Sequence, residues 1–418
     1  MEARTKAHTM LCDIVLGKKY SNLLLRKELK DIDPIDKGFI TNLVYGTMQN
    51  SLYLRYQWES YVDVSITNDM ALLMDMSIYQ FLFMDKVPEY AIVNEAVLIA
   101  SRVHHGKYKS MINAMLRRFL REGKRVIEGN ELQQLSLMTS HPLWLVKMWE
   151  KQYGLEITKR ICEDDQGIAL QSARVNTIVT TRDEIIANNE QFIEGKLSEE
   201  ALIYLGGNIA DTKEYLTGLV SIQDEASQCV ARFLDPKPDE SVLDTCAAPG
   251  TKTCHMATLM HNEGEIIALD IHEHRVQLIH QAAGRLGMSI VKAWCLDARE
   301  VAIEFDEQSF DRVLVDAPCT GYGVLKRKSD IKVHMQPTDM DSIITIQKEI
   351  LNEAAKMVKP NGTLVYSTCT INKKENEKQK EAFIVAHPEF DFIEEKMIFP
   401  FEFETDGFYM AKFVRKPS

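Results

Sequence analysis

The sequence predicts an all-α bundle followed by an α/β domain with a doubly wound, mostly parallel sheet. Three observations carry this. Up to about residue 128, apolar residues recur at three- and four-residue spacing. From about 219, short apolar runs alternate with amphipathic ones, as strands and crossover helices do. The chain has 418 residues, 45% of them hydrophobic, enough for two to three domains.

In the bundle, "AHTMLCDIVLGKKYSNLLLRKEL", "KGFITNLVYGTMQNSLYLRYQW", "DMALLMDMSIYQFLFM" and "EYAIVNEAVLIASRVHH" read as helices. Breaks fall at Asp33-Pro34 and Val87-Pro88. A last helix, "KSMINAMLRRFLREG", ends near Gly123. The Met and Leu stripes are expected to be core. Residues 129–218 form a connector. Its "SHPLWLVKMWEKQYG" is a turn into a helix, with His141 as a turn or packing residue, and "ARVNTIVTTRDEI" is strand, turn and helix. In 219–418, "SVLDTC", "GEIIALD", "IVKAWCLD", "FDRVLVDA" and "GTLVYST" read as strands. "TKTCHMATLM", "EHRVQLIHQAAGRLG", "SIITIQKEILNEAAKMV" and "KKENEKQKEAFIVA" read as the helices between and after them.

The chain has no run of 18 apolar residues, so no membrane span is expected, and its charged start lacks the pattern of a secretory signal. A cytoplasmic protein is the expectation, with monomer as the default. No two of the eight cysteines stand in a C-x-x-C pair, so no zinc or redox motif and no metal is expected. Disulfides are not expected in a reducing compartment. The net charge of −12 argues mildly against a nucleic-acid partner, but its distribution matters more. Residues 101–125 carry eight Lys or Arg and one Glu, and "KRKSDIK" at 326–332 adds four basic residues.

The carboxyl ends of the strands carry the chemistry, since open α/β sheets bind ligands there. After "SVLDTC" comes "AAPGTKT". Ala247, Ala248 and Gly250 let a ligand approach the backbone, and Thr251 is placed to cap a helix whose N-terminus offers free N–H groups. Four successive strands end in or beside Asp244, Asp270, Asp297 and Asp316. Asp270 lies 20 residues after Gly250, the offset of a ribose-binding carboxylate. The loop is neither G-x-G-x-x-G nor a P-loop. A ligand with ribose and adenine but no pyrophosphate suits these carboxylates, and S-adenosylmethionine is such a ligand. Asp270 would take the ribose and Asp297 the adenine amine.

Two cysteines, Cys319 in "DRVLVDAPCTGYGVLKRKSD" and Cys369 in "GTLVYSTCTINKKENE", each sit just past a strand, before small polar residues. Together "SIQDEASQ", "LDTCAAPGTKT", "VDAPCTGYGVLKRKSDI" and "YSTCTINKKENE" resemble, in order and spacing, the Sun family of RNA cytosine-C5 methyltransferases. The N-terminal region, with "NEAV" and "INAMLRRF", resembles the NusB-like RNA-binding domain. The combination is similar to bacterial small-subunit (16S) ribosomal RNA methyltransferases and covers nearly the whole chain. Thr251, where the family usually has a second glycine, and Thr320, where it commonly has a serine, are small departures.

The resemblance implies a Rossmann-like class I S-adenosylmethionine-dependent methyltransferase domain at 219–418, behind a NusB-like bundle at 1–128 and an RNA-recognition connector at 129–218. It implies that Cys369 is the nucleophile that adds to cytosine C6, and that Cys319 aids product release. Asp316 would face the base's N3/N4 edge, and Lys252 would favour the thiolate or orient Asp316. Cofactor binding would fall to Cys246, Ala247, Ala248, Pro249, Gly250, Thr251, Lys252, Asp270, Arg275, Asp297 and Asp316. RNA contacts are expected from 101–125, including Arg117 and Arg118, and from Lys326, Arg327 and Lys328. Transfer RNA as substrate and a non-catalytic RNA-binding assembly factor are the alternatives. A small-molecule methyltransferase would not need paired thiols.

Overall fold

The computed structural model describes residues 2–62 and 65–417. The chain divides into two compact units, Met1–Gly167 with Leu325–Pro337, and Ile168–Val324 with Thr338–Ser418. The expected connector is therefore shared: 129–167 belongs to the helical unit and 168–218 to the other.

The first unit is helical, with helices Glu2–Val15, Ser21–Glu28, Pro34–Gln49, Ser51–Trp58, Asn68–Phe83, Glu89–Arg102 and Lys109–Glu122. Glu131–Met138, Leu143–Tyr153 and Leu155–Asp164 come next. Both proline breaks are present, and each proline opens the next helix. Asp33 caps its helix by accepting from the Ile35 N–H at 2.9 Å, with Pro34 first in the turn. Gly123, at φ +72°, ends Lys109–Glu122. The Met and Leu stripes are core: Leu43, Val44, Met74, Ile99 and Leu116 are buried in one cluster. Asp75, buried within it, accepts from Arg55 at 2.6 Å and Trp58 at 2.7 Å, which offsets the cost of desolvating a carboxylate. His141 is a packing residue, fully buried and 3.0 Å from Asp165.

The segment 325–337 also packs in this unit, which corrects one expectation. Lys326 is not open to phosphate: its ammonium pairs with Asp164 at 2.6 Å. Lys332 is buried and donates to the Thr139 carbonyl at 3.3 Å, and burial pushes its pKa down to about 8. Of the four basic residues in "KRKSDIK", Lys328 alone is exposed.

The second unit holds two sheets. The smaller, antiparallel sheet comprises β1 (Gln171–Val175), β2 (Phe192–Glu194), β3 (Ala201–Tyr204) and β4 (Val220–Ile222), ordered β2-β3-β1-β4. The larger comprises β5 (Ser241–Asp244), β6 (Glu265–Asp270), β7 (Val291–Cys295), β8 (Phe310–Asp316), β9 (Val358–Thr368), β10 (Phe390–Ile398) and β11 (Phe408–Arg415). Its order is β10-β11-β9-β8-β5-β6-β7. β5 to β9 pair in parallel, and β10 and β11 add an antiparallel edge. The parallel core is as expected. The C-terminal hairpin was not legible, because β10, "FDFIEEKMI", is mostly exposed and lacks the apolar run of a strand covered on both faces. The chain runs outward from β5 through β6 to β7, then returns to β8 beside β5. In open α/β sheets such a reversal marks the ligand-binding crevice, here at the carboxyl ends of β5 and β8.

Candidate active site

The loop after β5 runs from Thr245 to Gly250 and turns into the helix Thr251–Leu259. Gly250 occupies the cap position at φ +95°, and a Cβ there would stand 3.1 Å from the Ile279 Cα. Only glycine suits that conformation and approach. This corrects the expected role of Thr251, which is the first helical residue rather than the cap. Cys246 is closed to chemistry as a thiolate, its pKa pushed to about 12 chiefly by burial. Ala247 ties the loop to β6 through its N–H, 2.8 Å from the Leu269 carbonyl, and the Ala248–Pro249 peptide is cis. The helix N-terminus beyond Gly250 offers backbone donors toward the crevice.

The four strand-end carboxylates have separate fates. Asp244 is buried and accepts from the Thr253 hydroxyl at 2.7 Å, and burial pushes its pKa up to about 7. It supports the loop from inside. Asp270 accepts from the His272 N–H at 3.1 Å, and Arg275 stands 3.3 Å from its other oxygen. Arg275 thus pairs with the carboxylate expected to hold the ribose. Asp297 is bound by Arg299 through the guanidinium at 2.6 Å, a hydrogen bond that holds its pKa below the usual range. An adenine amine would have to share that carboxylate with Arg299.

Asp316, at the end of β8, meets Lys252 from the loop helix at 2.8 Å and accepts from the Ser367 hydroxyl at 2.9 Å. Burial works to lower the Lys252 pKa, but Asp316, Cys369 and Asp244 outweigh it and hold it above its ordinary range. Lys252 is therefore an ammonium facing both a carboxylate and a cysteine sulfur. The sulfurs of Cys319 and Cys369 stand 3.3 Å apart, one past β8 and one past β9. Contact with Cys369 and burial push the Cys319 thiol well up, so Cys319 keeps its proton.

The structure thus brings Cys319, Cys369, Asp316 and Lys252 into one cluster beside the Gly250 loop. Sequence reasoning missed polar residues beneath the two thiol turns, Gln347, Thr370, Asn372 and Glu375, and the bond that Thr320 makes to Glu375. "NKKENE" reads as a solvated helix start, and nothing local tells that Glu375 points inward. Among the described residues, no group of three His, Cys, Asp or Glu could hold a metal ion, and no helix is long and apolar enough to cross a membrane.

Known proteins resemble this chain over most of its length. The NusB family model matches residues 1–121. The ferredoxin-like domain of RsmF/B-like methyltransferases matches 141–202, and the 16S rRNA methyltransferase RsmB/F model matches 231–414. A probable ribosomal RNA small subunit methyltransferase B of Bacillus subtilis is 41% identical, covering 96% of each chain. Its counterpart in Synechocystis is 32% identical, covering 93% of this chain and 90% of its own. The solved protein PH0851 superposes with a TM-score of 0.85 at 27% identity, covering 98% of each chain. A methyltransferase homolog protein from Pyrococcus horikoshii gives 0.61 at 28% identity, covering 69% of this chain and 100% of its own.

Proposed function

On the premise that the chain belongs to the RsmB/F family of 16S rRNA methyltransferases, we propose that it methylates C5 of a cytosine in small-subunit ribosomal RNA through a covalent Cys369 adduct. It is an S-adenosylmethionine-dependent enzyme. The residues present fit that cofactor: a glycine cradle that a Cβ would crowd, a helix N-terminus, and the Asp270 carboxylate at the next strand end. When bound there, S-adenosylmethionine supplies an electrophilic methyl group.

The observation that carries the mechanism is the pair of sulfurs beside Lys252 and Asp316. Cytosine C5 is too poor a nucleophile to take a methyl group unaided. The Cys369 thiolate forms a bond to C6, and the C5–C6 π pair moves onto C5, which would take the methyl group of the bound cofactor as the methyl–sulfur bond breaks and its pair leaves with the neutral thioether. Loss of the C5 proton to a base frees the C5–H bonding pair to re-form the C5–C6 double bond, and the C6–S pair leaves with Cys369 as thiolate. Lys252 favours the thiolate by charge and fixes Asp316, which hydrogen-bonds the base's N3/N4 edge. Cys319, which keeps its proton, serves release as partner of the base. The target base must leave its stack to reach this crevice. Residues 101–125 and the connector 129–218 are assigned to holding the folded RNA.

The test uses 16S transcript, labelled S-adenosylmethionine and wild-type or Cys369→Ala protein, with bisulfite mapping of new 5-methylcytosine. One mapped site in wild type and none in Cys369→Ala is expected. Binding without transfer by wild type would favour an assembly factor, and labelling of transfer RNA alone would favour the other substrate.

A further inference from the structure

We propose that Glu375 is the positioning residue that sets the two active-site thiols against each other. It is fully buried, five residues beyond Thr370, and its carboxylate is held by hydrogen bonds from uncharged groups. Oε2 accepts from the Thr320 N–H at 2.9 Å and from Gln347 at 3.1 Å. Oε1 accepts from the Thr320 hydroxyl at 2.6 Å and from Asn372 at 2.9 Å. Four donors fill the lone pairs a carboxylate offers.

The donors give the network a direction. Thr320 spends its one hydroxyl proton on Glu375, so the Thr370 hydroxyl, 2.8 Å away, must donate to Thr320. Thr370 in turn accepts from the Tyr322 N–H at 3.2 Å. The chain of bonds thus runs from Tyr322 through Thr370 and Thr320 to Glu375. Thr320 adjoins Cys319 and Thr370 adjoins Cys369, so the carboxylate ties one thiol turn to the other. A neutral side chain of the same shape could not accept four bonds. Buried polar networks specify one geometry when every member is satisfied and fail when one is not.

Glu375 also acts on the thiols by charge. Cys319 is faced by Cys369 past β9, by Asp316 at the end of β8 and by Glu375, all of which disfavour a second thiolate. Lys252, from the loop helix, faces Cys369 and Asp316 with the opposite sign. Tyr366 on β9 completes the surroundings, neutral through burial.

The inference rests on Cys319 and Cys369 being the working thiols, and its test separates the two. Full-length wild type, Glu375→Gln, Glu375→Asp and Thr320→Val are alkylated with iodoacetamide, without RNA or cofactor, from roughly pH 7 to 11.5, with folding checked at each pH by circular dichroism. The Cys319 and Cys369 peptides are quantified by mass spectrometry, and methyl transfer to 16S transcript is measured in parallel. In Glu375→Gln the midpoint for Cys319 should fall by about half a pH unit or more, because a nearby negative charge is gone. Methyl transfer should fall at least tenfold. Glu375→Asp keeps the charge but shortens its reach, so transfer falls while the midpoint stays near wild type. An unmoved midpoint or an unchanged transfer rate in Glu375→Gln overturns the proposal, as does an equal shift in Glu375→Asp. Should Glu375→Gln not fold, Thr320→Val carries the test: it breaks the hydroxyl chain and leaves the charge, and wild-type transfer from it would overturn the positioning role. If wild type transfers no methyl group, the functional reading has failed and the alkylation midpoints alone decide about Glu375.

Discussion

The sulfurs of Cys319 and Cys369 stand 3.3 Å apart although the two residues are 50 positions apart in the chain. Parallel pairing of β8 with β9 explains the meeting, since it puts both strand exits at one edge. Two thiols at one reacting centre divide the work, and Cys319 is the one that keeps its proton. Cys369→Ala should abolish methyl transfer, whereas Cys319→Ala should accumulate a denaturation-resistant protein–RNA adduct on a denaturing gel. Adduct in Cys369→Ala, with none in Cys319→Ala, would reverse the roles.

Lys252 joins the loop helix to the end of β8 through its 2.8 Å pair with Asp316. Lys252→Met keeps length and burial but removes the charge. Single-turnover methyl transfer should slow by about 10²-fold or more, the scale of losing one preorganised charged donor. A rate within a few-fold of wild type would remove Lys252 from the machinery.

Gly250 sits at φ +95° against Ile279. Gly250→Ala should destabilise the protein by about 1–3 kcal/mol, the cost of holding a non-glycine residue there. Calorimetry with S-adenosylmethionine should show weaker binding as well. Unchanged affinity would place the cofactor elsewhere than on this loop.

Asp244 gives a pH signature. Burial raises its pKa to about 7. Between the ordinary carboxylate value, ~4, and about 7, the folded protein holds a proton that the unfolded chain has released. Its contribution is complete below ~4 and drains away as pH rises through about 7, a loss of at most about 4 kcal/mol. Melting temperatures of cofactor-free protein should fall over that window, and Asp244→Asn should flatten the fall. Parallel curves for the two proteins would contradict the assignment.

On the helical unit, Arg117 bonds Asn113 at 3.1 Å, and Arg118 pairs with Glu122 at 2.9 Å and lies 4.4 Å from the Tyr61 ring. If these residues meet phosphates, replacing both with Ala should weaken RNA binding and lower the salt slope by about one per residue. Filter binding across salt concentrations reads this directly, and an unchanged slope takes them off the contact surface.

The sequence by itself determined the helical and α/β regions, the strand-end carboxylates, the glycine loop and the two thiol turns. These are local features: a strand buried on both faces is an apolar run, and the residues just past its carboxyl end lie at the ligand-binding edge. Only the tertiary structure decided which partners those residues take. It gave Lys326 to Asp164, Arg275 to Asp270, Arg299 to Asp297 and Glu375 to Thr320. It also placed β10 and β11 on the sheet edge. An ion pair or a buried hydrogen bond depends on which side chains the fold brings within about 3 Å, and neighbours in sequence do not encode that distance.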